Sequence, residues 1–100
     1  MRESEVEAYL VERVKALGGE CRKVKWIGRL GAPDRLVMLP KTYQQLGQGD
    51  VSTIWIEVKA PGEKPRPSQV REHERMRSMG QRVVVVDSFE AVDEVLAWPQ

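Results

Sequence analysis

Apolar residues recur along the chain with two different periods, and the switches between them mark out seven elements. From Glu3 to Leu17, the apolar positions Val6, Leu10, Val14 and Leu17 fall at steps of 4, 4 and 3, the single stripe of an amphipathic helix. Gly18 and Gly19 follow, and glycine is the residue best able to take the left-handed turn that closes a helix. Cys21, Lys23 and Lys25 then alternate with Arg22, Val24 and Trp26, with Ile27 after them, which predicts a strand. Gly28 to Pro33 carries two glycines and a proline and reads as a loop. Leu36 to Leu39 is a short apolar strand stopped by Pro40.

Lys41 to Val51 shows no hydrophobic period and holds Gly47, Gly49 and Asp50, so a hairpin loop is expected there. Ser52 to Lys59 is rich in β-branched and aromatic residues (Thr53, Ile54, Trp55, Ile56, Val58) and predicts a strand. Pro61 to Pro67, with three prolines and a glycine, is an irregular loop. Ser68 is the expected N-cap of a helix running to about Met79 and ended by Gly80. Gln81 to Val86 predicts a buried strand. Ser88 caps a last helix that runs through Val92, Val95 and Leu96 to Trp98, with Pro99 ending it.

The resulting order, αβββαβα, is an α/β fold: a mixed four-stranded sheet flanked by helices. The strand–helix–strand segment from 52 to 86 should be a right-handed parallel crossover, and the strands before it an antiparallel meander. No repeat or linker interrupts the pattern, so one domain over 1–100 is expected.

Composition narrows the class. The hydrophobic and charged fractions, 41% and 31%, are those of a soluble globular protein. A single cysteine, Cys21, permits no internal disulfide and fits a reducing cytoplasm. The first residues are polar and acidic, unlike a signal peptide. No apolar run exceeds the four residues of Val83 to Val86, far short of the roughly 20 residues a membrane span needs. The net charge is only +1, but it is unevenly spread. Six basic residues and one acid lie between Arg22 and Lys41, four basic residues and one acid between Lys59 and Arg71, and four acids with no base between Asp87 and Glu94. Positive charge gathered in the middle of the chain suits a polyanionic partner.

The candidate chemistry lies in Pro33-Asp34 and, 23 positions after Asp34, Glu57-Val58-Lys59. Glu57 and Lys59 are two apart on a strand and share a face, while Val58 points to the other. Charges inside an apolar strand are costly unless paired or bound to metal. Phosphodiester hydrolysis uses such a set. Two carboxylates, Asp34 and Glu57, with the Val58 carbonyl hold a hard cation, Mg2+ or Mn2+, through oxygen. Lys59 holds or helps deprotonate water and faces the phosphate.

On these residues the chain resembles the PD-(D/E)xK restriction-endonuclease-like nucleases, and more closely their virus-type replication-repair nuclease (VRR-NUC) group. Gly31-Ala32-Pro33-Asp34, Glu57-Val58-Lys59 followed by Ala60-Pro61-Gly62, and a glutamine, Gln69, opening the next helix carry the likeness, which extends over nearly the whole chain. The resemblance implies the restriction-endonuclease-like core and a further acid on the first helix. Glu3 and Glu7, four apart on one helix face, are both candidates, with Glu7 preferred. It also implies a metal-dependent endonuclease for branched DNA, similar to dimeric Holliday-junction resolvases. A two-fold homodimer would place two sites on a four-way junction. Small stand-alone members of this group are frequent in phages and bacteria.

Among other residues, Arg29, Arg35, Lys64 and Arg66 are candidate phosphate contacts, and Gln69 is a candidate to orient water or touch phosphate. His73, the single histidine, reads as a surface or packing residue, and Trp26, Trp55 and Trp98 as core or interface residues. There is no phosphate-binding GxxxxGK[ST] loop, hence no nucleotide cofactor is expected, and no base-reading module. Two rivals stand beside the nuclease reading. One is a non-catalytic DNA-binding or adaptor module in which Glu57 and Lys59 form an ion pair. The other is a sequence-specific restriction-type enzyme, for which the chain looks too short.

Overall fold

Val6, Leu10 and Val14 are completely buried, as their spacing requires, on helix α1 (Glu3–Ala16). In the computed structural model, residues 1–40 and 53–97 are described. The expected 41–51 hairpin loop, together with Trp98 and Pro99, lies outside them. After α1 come β1 (Glu20–Lys23), β2 (Arg35–Met38), β3 (Thr53–Val58), α2 (Pro67–Ser78), β4 (Val83–Val86) and α3 (Phe89–Ala97). This is the order the hydrophobic pattern predicts. The four strands form one sheet in sequence order. β1–β2 and β2–β3 pair antiparallel, and β3–β4 pair parallel across the α2 crossover.

The helix ends explain the turns. Gly18 adopts φ +84°, and the Gly19 N–H donates back to the Val14 carbonyl at 3.0 Å. A Cβ on Gly19 would stand 2.4 Å from the Met38 carbonyl oxygen, so only glycine lets α1 turn so close to β2. Ser88 caps α3 as expected, its Oγ accepting from the Ala91 N–H at 3.0 Å.

Two boundaries differ from the pattern. β1 ends at Lys23. The Val24 N–H still donates to the Asp34 carbonyl, but the chain then leaves the sheet, and Ile27 is 94% exposed. Trp26 is diverted to hold the Pro33 carbonyl with its indole N–H at 2.7 Å. Helix α2 is not capped by Ser68. It opens at Pro67, whose fixed φ suits a first helical position, and the Gln69 Oε1 accepts from the Arg66 N–H at 2.8 Å.

Side-chain alternation sets two faces. Ile54, Ile56, Val58 and Val86 join Val6, Leu10 and Val14 of α1 and Val92, Val95 and Leu96 of α3 in one core. Tyr9 on α1 stacks on Phe89 at 4.2 Å and donates to Asp93 on α3. Trp55 and Glu57 take the opposite face, with Gln69, His73 and Met76 of α2.

Candidate active site at the ends of β2 and β3

Arg35 pairs with Ile56 in the antiparallel register, so one step further Asp34 stands across from Glu57. Two carboxylates therefore meet at the point where β2 begins and β3 ends. The loop that delivers Asp34 is fixed on both sides. Trp26 grips the Pro33 carbonyl and packs against Trp55 with ring centroids 5.2 Å apart. Gly31, at φ +86°, lies so close to α2 that a Cβ would stand 2.5 Å from the Ser68 carbonyl oxygen. Its glycine is required both by conformation and by contact.

Glu57 is 9% exposed. The Gln69 amide donates to its Oε2 at 3.3 Å, and His73 Nε2 lies 3.9 Å from its Oε1. Burial, followed by the charge on Asp34, pushes the Glu57 carboxyl up to about 7, with Lys59 and Arg66 pulling the other way and Glu3 adding to the rise. Lys59, just beyond β3, is 8% exposed and extends the β3–β4 pairing, its N–H donating to the Val86 carbonyl at 2.9 Å. The Val58 side chain is buried in the core, which leaves its main-chain carbonyl as the group able to meet a ligand.

Helix α1 brings Glu7 to the same edge. Its Oε2 accepts from Arg35 Nε at 2.8 Å and Lys23 Nζ at 3.0 Å, and Lys23 also meets Asp34 Oδ2 at 2.9 Å. Burial pushes the Glu7 carboxyl up, but the hydrogen bonds and charges of Arg35 and Lys23 outweigh it and hold it below its usual value. Lys23 is held above its own by hydrogen bonds to Asp34 and Glu7. Glu3, one turn earlier, is exposed and reaches Glu57 through its charge.

The geometry thus joins Asp34, Glu57, Lys59, Glu7 and Gln69, with Glu3 at the margin. Of the candidate phosphate contacts, Arg29 is bound to the buried Glu72 through Nε and NH2 at 3.1 and 2.8 Å, and Arg35 to Glu7. Lys64 and Arg66 are exposed on the loop entering α2. Two further residues belong to this edge. Lys23 bridges the Glu7 and Asp34 carboxylates, a tertiary contact with no signal in the sequence. His73 is buried rather than superficial. It is four residues after Gln69, the spacing that puts two side chains on one helix face.

The donor chemistry fits a hard divalent cation. Asp34 faces Glu57 closely enough to oppose its ionisation, and an exposed lysine ammonium balances Asp34 and Glu7. Among the described residues, no three His, Cys, Asp or Glu side chains converge as a complete cage. Two carboxylates with water and main-chain oxygen are the modest set that Mg2+ commonly takes.

A mixed sheet carrying two acids and a lysine at adjacent strand ends, backed by a helix glutamine, defines the restriction-endonuclease-like class. A search of family models finds no match. The chain is 46% identical over 88 residues to a protein of Acyrthosiphon pisum secondary endosymbiont phage 1 described as "Putative nuclease p44", covering 88% of this chain and 85% of that protein. It is 42% identical to a solved VRR-NUC domain, with a TM-score of 0.80 over 98% of this chain and 97% of the other. The chain belongs to the VRR-NUC family.

Proposed function

We propose that this protein is a Mg2+- or Mn2+-dependent endodeoxyribonuclease that cuts branched DNA. The observation that carries the reading is the pairing of Asp34 with Glu57 in strand register, with the Glu57 carboxyl pushed up to about 7. Such a pair is costly to keep without a cation and is a recurrent device of functional sites.

Asp34, Glu57 and the Val58 carbonyl would hold the metal, and Glu7 or Glu3 would support it. A bound divalent cation supplies charge neutralisation at the phosphate and acidifies water. Lys59 presents an ammonium beside Glu57, where it attracts the phosphate and holds the attacking water. Gln69 fixes the Glu57 carboxylate through Oε2, which keeps the acid oriented before substrate arrives. Lys64 and Arg66 lie on the loop entering α2, suited to the DNA backbone.

A homodimer presenting two such sites suits a symmetric four-way junction, and a reducing cytoplasm suits the lone Cys21 thiol. Among the described residues no helix is long and apolar enough to cross a membrane. One observation favours the non-catalytic alternative: Lys23 and Arg35 already neutralise Glu7 and Asp34 without metal.

Labelled four-way junction, flap and linear duplex are incubated with the protein in Mg2+, Mn2+ or chelator. Metal-dependent paired cuts on the junction are expected. Tight junction binding without cutting in any metal would favour the adaptor module.

A further inference from the structure

Trp55 stands two residues before Glu57 on β3, so the two side chains share one face, about 7 Å apart along the strand. Beside Trp55 lies a cavity of about 350 Å3, lined also by Trp26, Met76, Met79 and the Arg29–Glu72 pair. Ordinary ligand pockets start at roughly 300 Å3, so a small planar group fits. Both indole N–H groups are already engaged, Trp26 with the Pro33 carbonyl at 2.7 Å and Trp55 with Gln81 at 2.9 Å. What the two rings offer the cavity is therefore apolar surface. The Arg29 guanidinium, fixed by Glu72 through two hydrogen bonds, adds a planar cation on which a base can also stack.

One loop joins this cavity to the candidate active site. The Val24 N–H donates to the Asp34 carbonyl at 2.9 Å, which closes residues 25–33 into an excursion that returns to the acid. Lys25 and Arg29 are the only charged residues in it, and Ile27 and Leu30 are 94% and 78% exposed. A cationic loop with an apolar tip suits a phosphate strand whose bases are unstacked. Resting on the DNA-cleaving reading above, we infer that the Trp26–Trp55 cavity binds an unpaired nucleobase of the substrate close to the phosphate that is cut. The separation of Trp55 from Glu57 along β3 corresponds to about two base steps of a stacked strand. Stacking accepts any base, so the cavity selects DNA by the bases a branch leaves unpaired and reads no sequence.

Two labelled four-way junctions are compared by fluorescence anisotropy with the full-length protein, in chelator and again in Ca2+. One carries an extra unpaired adenine at the branch, the other an abasic residue at the same place. Wild type should bind the adenine junction roughly tenfold tighter. Trp55→Ala should narrow the ratio to less than about twofold, and Trp55→Phe, which keeps a ring to stack on, should retain most of it. The wild-type comparison stands even if Trp55→Ala folds poorly. Equal wild-type affinity for the two junctions overturns the inference and leaves DNA cleavage standing. If Met79→Asp, at an exposed wall of the cavity, then turns a wild-type dimer into monomers in sedimentation, a second copy covers the cavity instead. Failure to bind either junction overturns the DNA reading, and the inference with it.

Discussion

Replacing Glu57 by glutamine should make the metal-free protein more stable. A folded-state value of about 7 against an ordinary 4.5 corresponds to about 3 kcal/mol against the charged carboxylate. Residual solvent contact trims this to about 2 kcal/mol. The sign follows from proton counting. Below pH 4.5 the acid is protonated in both states and costs nothing. Between 4.5 and 7 the folded protein keeps a proton that the unfolded chain releases, so stability falls as pH rises, and above 7 the full cost is present. Glu57→Gln removes that cost while its carbonyl still accepts from Gln69. Its new N–H2 group can also meet the unpaired His73 Nε2. Urea denaturation with chelator at pH 8 and at pH 5 measures the difference. The variant should gain about 2 kcal/mol at pH 8, a rise in Tm of roughly 10 °C, and much less at pH 5. A variant that is less stable than wild type at pH 8, or whose advantage is independent of pH, would refute the idea that Glu57 is an electrostatically strained acid.

Four other perturbations address the surrounding structure. Gly31→Ala meets both a positive φ and the Ser68 carbonyl, and should cost about 2 kcal/mol or more in stability and lower cleavage by displacing Asp34. Leu10→Ala empties a fully buried position in the core and should cost about 2–5 kcal/mol in thermal unfolding, with single-turnover cleavage unchanged while the protein remains folded. The Glu7 carboxyl, held low in the folded state, adds stability above pH 4.5 that is lost as pH falls through its folded value. Arg35→Met should therefore flatten the acid limb of a pH–stability curve. Replacing Lys64 and Arg66 together by alanine should weaken junction binding and lower the slope of log affinity against log salt by about 2, as fluorescence anisotropy would show.

How much was legible beforehand depended on the range of the interaction concerned. The α1 stripe, the two-glycine stop and the Ser88 cap are local, and each appears where the sequence puts it. The alternation through Cys21 to Ile27 overstates β1, because the pattern cannot reveal that Trp26 leaves the sheet to hold Pro33. Ser68 looks like a helix cap, yet Pro67 and Gln69 define the α2 start. At the candidate site, Asp34 and Glu57 were legible because each ends a recognisable strand. The engagement of Arg35 and Lys23 by Glu7 was not, since those contacts cross 28 and 16 residues. Arg29, expected to be free for phosphate, is bound by Glu72 across 43 residues. The same long-range packing turned His73 from an ordinary helix residue into a buried, unpartnered nitrogen.

The central claim is that Asp34 and Lys59 perform chemistry on a DNA phosphodiester. Single-turnover cleavage of a labelled junction, with saturating protein and Mn2+, compares wild type with Asp34→Ala and Lys59→Ala, and anisotropy gives the junction affinity of each. Loss of cleavage by at least about 2 orders of magnitude in both variants, with binding largely intact, is the predicted result. Cleavage by both variants at the wild-type rate would contradict the account.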